Sequence, residues 1–168
     1  YMDTAAKALD DFMAGRPVSV QIYETEQPDT LLWAMWCLQQ YAKYVGRERC
    51  RERYGALIDS IMSFIFEGHH PNLFGHTNGL VYSNGRDRAV TWMNSTSWGR
   101  PIIPRSGYIV EFNALYYNAK KFYQQLLVDD GRPERLITAE RIEAECRQFE
   151  ESFRSTFVNH CGYLFDYV

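Results

Sequence analysis

Five stretches of this chain repeat apolar residues every three or four positions, the spacing that lines one face of an α-helix. Ala5, Leu9 and Phe12 mark Met2 to Ala14, which closes at Gly15 before Pro17. Leu31, Met35, Leu38, Ala42 and Val45 form a second stripe, with Pro28 suited to the first helical turn and Gly46 as the stop. Leu57, Ile58, Ile61, Met62 and Ile65 mark a third between Glu52 and Glu67, closing at Gly68. Val110 to Val128 carries Leu115, Ala119, Phe122 and Leu126 and runs into Asp129-Asp130-Gly131, and Thr138 to Phe157 carries Ile142, Cys146, Phe149 and Phe153. Strand signals are few. Val18 to Tyr23 alternates weakly, and Gly79 to Gly85 ends in Asn-Gly, which predicts a tight turn in a short hairpin or extended loop leading into Thr91-Trp92. The pattern predicts an all-α fold with short extended segments in its loops.

The chain has 168 residues, enough for one domain with a sizeable core. It opens inside a helical pattern and stops at Tyr163 to Val168, which reads as mid-strand or mid-loop, so the expectation is a fragment of a larger domain. A net charge of −3 argues against nucleic acid as a partner. Arg47, Arg49, Arg51 and Arg53 make a local basic run, but Glu48 and Glu52 interleave with it, which describes a solvated helix start. No apolar run approaches the roughly 20 residues that cross a bilayer, so no membrane partner is expected. Cys37, Cys50, Cys146 and Cys161 lie far apart without C-x-x-C spacing, which fits free thiols in a reducing cytoplasm. His69, His70 and His76 share a Pro/Asn/Gly-rich loop but lack H-E-x-x-H spacing and a carboxylate pair, so no metal and no cofactor is expected.

The residues richest in chemistry run from Ala89 to Asn118, AVTWMNSTSWGRPIIPRSGYIVEFNALYYN. Indole and phenol rings stand there beside amides, guanidinium groups and a carboxylate. Flat apolar faces stack on the C–H faces of a pyranose, and planar polar groups take its hydroxyls, so the mixture suits a sugar site. An aromatic loop packed over a core is the plainer alternative. Asp29 has a plain explanation too, as compensation for the positive end of the second helix. On the helix from Val110, Glu111 and Asn118 share a face and can point together toward a pocket mouth.

Thr91-Trp92-Met93-Asn94, then Pro104-Arg105-x-Gly107, then Val110-Glu111-Phe112-Asn113-Ala114-Leu115-Tyr116-Tyr117-Asn118-Ala119 resemble, in order, linked motifs of the bacterial and archaeal amylo-alpha-1,6-glucosidase type of glycogen-debranching enzyme. The family's usual forms are T-W-M-D, P-R-x-G and V-E-x-N-A-L-W-Y-N-A. Asp29, Leu32 and Trp33 also match its D-x-x-L-W pattern at a helix entrance, which points toward the sugar site. Two positions depart. Tyr116 replaces a Trp, and Asn94 replaces the Asp generally taken as the proton donor. An amide keeps hydrogen-bond geometry but does not supply acid chemistry.

The resemblance implies that the chain supplies about half of an alpha/alpha toroid, paired inner and outer helices around a central pit. It implies α-1,6-glucosidic hydrolysis of glycogen or related α-glucans in a cytoplasmic, bacterial-type enzyme. The implied mechanism is inverting, with two carboxyl groups roughly 6.5–9.5 Å apart and no cofactor. The family's general base would lie past Val168. Asn94 at the donor place and Glu111, either a substitute acid or a substrate ligand, are the candidate catalytic residues. Asp29, Trp33, Trp92, Arg105, Asn113 and Tyr117 are the candidate substrate-binding residues, with Trp92 as a stacking platform and Arg105 and Asn113 as hydroxyl or loop-organising groups. Expected partners are an α-glucan, the remainder of the parent catalytic domain, and a second copy meeting unpaired helix faces. A catalytically silent carbohydrate-binding relative, another toroidal glycosidase, and a plain helical scaffold are the alternatives.

Overall fold

The computed structural model describes residues 27–128 and 137–168. The expected helix at Met2 to Ala14, the extended segment at Val18 to Tyr23 and the stop at Asp129 to Gly131 lie outside these residues. Four helices stand among the described residues: α1 (Asp29–Val45), α2 (Arg47–Phe66), α3 (Val110–Val128) and α4 (Ala139–Phe157). They account for about half of the residues, and five short strands fill the connection between α2 and α3.

Gly46 alone separates α1 from α2, so the two helices fold back as a pair and their apolar stripes meet. Leu31, Leu32, Met35, Leu38 and Ala42 of α1 are buried with Cys50, Tyr54, Ile58, Ile61, Met62 and Ile65 of α2. The second helix starts at Arg47, earlier than its apolar stripe, because the Arg/Glu run forms an exposed first turn. Helix α3 is the centre of the fold. It packs on α1, α2, α4 and the sheet, burying Phe112, Leu115, Ala119 and Phe122. Each of the Phe and Leu side chains contributes roughly 1.5–3 kcal/mol, so α3 joins α4 to the α1–α2 pair. Thr138 caps α4 by accepting from the Arg141 N–H at 3.2 Å, and Ile142, Cys146 and Phe149 bury its inner face.

β1 (Leu73–Gly75) pairs antiparallel with β2 (Val81–Ser83), and β2 pairs antiparallel with β5 (Gly107–Tyr108). The chain's last residues extend this sheet. Tyr108 and Val168 exchange both backbone hydrogen bonds, at 2.7 and 2.9 Å, and the Val110 N–H donates to the Asp166 carbonyl at 3.0 Å. β3 (Thr96–Ser97) and β4 (Arg100–Pro101) form a separate hairpin.

The Asn84-Gly85 signal is corrected here. The hairpin built by β2 turns upstream of it, where the His76 N–H donates to Leu80 and the Gly79 N–H to His76, both at 2.9 Å. Gly85 has no positive φ; a Cβ on it would lie 2.0 Å from the Arg105 carbonyl oxygen, so it is glycine for close approach. Gly107 of the P-R-x-G motif combines both demands. Its φ is 116°, and a Cβ would meet the Val168 carbonyl oxygen at 2.2 Å.

All four cysteines are free thiols. Among the described residues no helix is long and apolar enough to cross a membrane. The three loop histidines go separate ways: His69 bonds Glu67, His70 accepts from the Asn72 N–H, and His76 bonds the Tyr108 hydroxyl. Among the described residues no group of three or more His, Cys, Asp or Glu is placed to hold a metal ion.

Candidate functional site

Arg105 organises the centre. It leaves the β3–β4 hairpin as the chain enters β5 and is 3% exposed. On one side its Nη1 and Nη2 donate to the two oxygens of Glu111, with Nη2 to Oε2 at 2.7 Å. On the other, Nε reaches Asp166 Oδ2 at 3.1 Å and Nη2 reaches Oδ1 at 2.6 Å. Burial works against the Arg105 charge, but the hydrogen bonds and charges of Glu111 and Asp166 outweigh it and raise its pKa. A planar fork grips two carboxylates in fixed geometry, which a lysine cannot do.

Each carboxylate arrives on a different element. Glu111 is in the first turn of α3, where the helix dipole favours negative charge. Asp166 comes on the C-terminal segment hydrogen-bonded beside β5, with its side chain 59% exposed. Sequence reasoning missed Asp166. Its signal was a single carboxylate inside the aromatic run Tyr163-Leu-Phe-Asp-Tyr167, read only as strand or loop.

Asp29, in the first turn of α1, lies within the electrostatic reach of Glu111. Partial burial raises its pKa, the negative charge of Glu111 raises it further, and hydrogen bonds from backbone N–H groups partly oppose both. Gln27 Nε2 donates to the Ala89 carbonyl at 3.1 Å and ties the entrance of α1 to the Trp92 loop. Thr91 is buried and its hydroxyl accepts from the Met93 N–H at 3.1 Å, a local turn that puts Trp92 outward, 71% exposed. Asn94 is exposed beside it. Trp33, half exposed on α1, meets Trp36 edge-to-face with ring centroids 5.7 Å apart.

Burial and bonding already engage several of the candidate groups. Asn113 is fully buried; its Oδ1 accepts from the Val81 N–H at 2.8 Å, and Nδ2 donates to the Val81 and Ile109 carbonyls at 3.0 and 2.9 Å. It joins α3 to β2 and has no group left for a sugar hydroxyl. Tyr117 lies roughly 120° around α3 from Glu111 at helical spacing. Its ring stacks on Phe149 and its hydroxyl donates to Glu150 at 2.5 Å, which with burial pushes its pKa up to about 12. That places it in the α3–α4 seam, away from Glu111. Arg105 is the loop-organising group and not an open hydroxyl donor. Asn118 likewise leaves the pocket-mouth geometry, donating to Gln39 Oε1 of α1 at 3.0 Å. Glu111 has both oxygens engaged by Arg105.

Tyr116, the other departure from the motif, is interior, with Lys120 Nζ 4.5 Å from its ring centroid. It borders a cavity of 380 Å³ lined also by Ile65, Phe66, His76, Arg141 and Glu145, which the Arg105 cluster does not share.

Exposed Trp92 and Asn94 thus stand on the loop that leads to the Arg105 carboxylate lock. The amylo-alpha-1,6-glucosidase family model matches residues 19–168. The chain belongs to that family. No curated protein and no solved structure gives a match. The amylo-alpha-1,6-glucosidase family places the chain among glycogen-debranching-type glucosidase domains, whose substrates are α-glucans. The match covers α1 through the C-terminal segment, including every residue of the Arg105 cluster.

Proposed function

We propose that this chain is part of a glycogen-debranching glucosidase that removes α-1,6-linked glucose from branched α-glucan by an inverting route, its helices forming about half of an alpha/alpha toroid. The observation that carries the reading is the grip of Arg105 on Glu111 and Asp166, with Asp29 within the field of Glu111, in a chain of the amylo-alpha-1,6-glucosidase family. In it Asp29 accepts a sugar hydroxyl, Trp92 stacks on a ring face, and Asn94 bonds the oxygen at the scissile linkage. Glu111 and Asp166 hold Arg105, and through it the loop that carries Trp92 and Asn94.

Asn94 supports a second reading, a binding-competent relative without turnover, because an amide transfers no proton at a useful pKa. Glucose release from branched limit dextrin by the full protein, wild type against Asn94→Asp, separates the two. Release by the wild type, with β-glucose as the first anomer seen by NMR, upholds the inverting enzyme. Release only by Asn94→Asp, on the order of 100-fold or more above wild type, makes the natural protein the silent relative. Release by neither, with no limit-dextrin affinity, overturns both.

A further inference from the structure

All four tryptophans of this chain face solvent: Trp33, Trp36, Trp92 and Trp98. Trp33 and Trp92 belong to the candidate site, and Trp36 packs on Trp33. Trp98 is fully exposed at the tip of the β3–β4 hairpin. Ser97 pairs with Arg100, so Trp98 and Gly99 are the two loop residues, with φ of 53° and 77°. Positive φ at both positions is the type I′ geometry, which favours Asn, Asp or Gly at the first. Trp98 is the sole non-glycine residue with positive φ among the described residues. Neither the turn nor the core accounts for the indole.

The hairpin is rooted on the candidate site at both ends. Asn94 lies two residues before β3, and the Ile102 N–H donates to the Ser95 carbonyl at 3.0 Å to close the base. After β4 the chain runs through Pro104 to Arg105, which is locked by its two carboxylates. Trp98 is four residues on from Asn94, a reach of at most about 13 Å. Around the indole the hairpin presents exposed Thr96, Ser97 and Arg100, hydroxyl and guanidinium groups that suit a sugar's rim, with exposed Ile102 and Ile103 following at its base.

We propose that Trp98 is an outer stacking platform for the α-glucan chain, holding a glucose ring beyond the one bound at Asn94 and so setting a preference for longer chains. The proposal rests on the glucosidase reading above. Calorimetric titration of the full protein with maltoheptaose and with maltose tests it. Trp98→Gly relaxes the turn and keeps the fold, and it is expected to bind maltoheptaose about tenfold more weakly while its maltose affinity is unchanged. Trp98→Phe, which restores a ring, is expected to recover most of the loss. If the wild type binds maltoheptaose and Trp98→Gly binds it equally well, the platform is overturned and the glucosidase reading stands. A wild type that binds neither sugar overturns both. A change in sedimentation on Trp98→Gly without a change in sugar affinity assigns the indole to a protein contact and also overturns the proposal.

Discussion

Asp29 stands where its charge is unwelcome: partly buried and within the field of Glu111. A carboxyl whose pKa is raised on folding binds its proton more tightly in the native state. Its contribution to stability is present below the unfolded value near 3.8 and is lost as pH rises through the folded pKa. At neutral pH the ionised Asp29 therefore works against the fold, as a group kept for binding can. Asp29→Asn is expected to stabilise the protein at pH 7, by less than about 1 kcal/mol because the group still meets solvent. The gain should shrink as pH falls toward 4, while affinity for limit dextrin drops. Thermal melts across that range, beside a sugar titration, check both halves.

At the scale of elements, the site depends on a strand with no room on either side. β5 lies between β2 and the C-terminal segment, and Gly107 is where the backbones come closest. Gly107→Ala places a methyl group against the Val168 carbonyl in a left-handed backbone conformation. It is expected to cost at least about 2 kcal/mol in denaturant melts and to raise amide exchange at Tyr108 and Val168. The neighbouring hairpin tolerates the opposite arrangement. Trp98 occupies left-handed space with nothing against it, at about 1–2 kcal/mol relative to glycine.

Across the whole molecule, Arg105 joins chain segments that are otherwise held by short strand contacts. It links the hairpin, the start of α3 and the C-terminal segment, 61 residues away at Asp166. Removing the guanidinium leaves Glu111 and Asp166 facing each other unpaired. Arg105→Gln is expected to lose about 3 kcal/mol of stability, with exchange protection falling first in residues 163–168. Asp166→Asn, on the more exposed side, should cost less than half as much.

The sequence by itself determined the four helices of the described residues. The stripe from Leu31 to Ala42 and the positions from Ile58 to Ile65 in the next are buried where the spacing placed them, since a 3.6-residue period is a local property of the chain. The linked motifs around Trp92, Arg105 and Glu111 carried the family in the same way. Only the tertiary structure decided which motif polar groups are spent on architecture. Asn113 and Tyr117 sit in a motif beside Glu111, yet one bonds β2 and the other α4. Which partner a side chain meets depends on elements distant in sequence, and no local period encodes that. Asp166 reaches the cluster for the same reason: backbone pairing of the C-terminal segment to β5 carries it there, across a separation that only the folded chain closes.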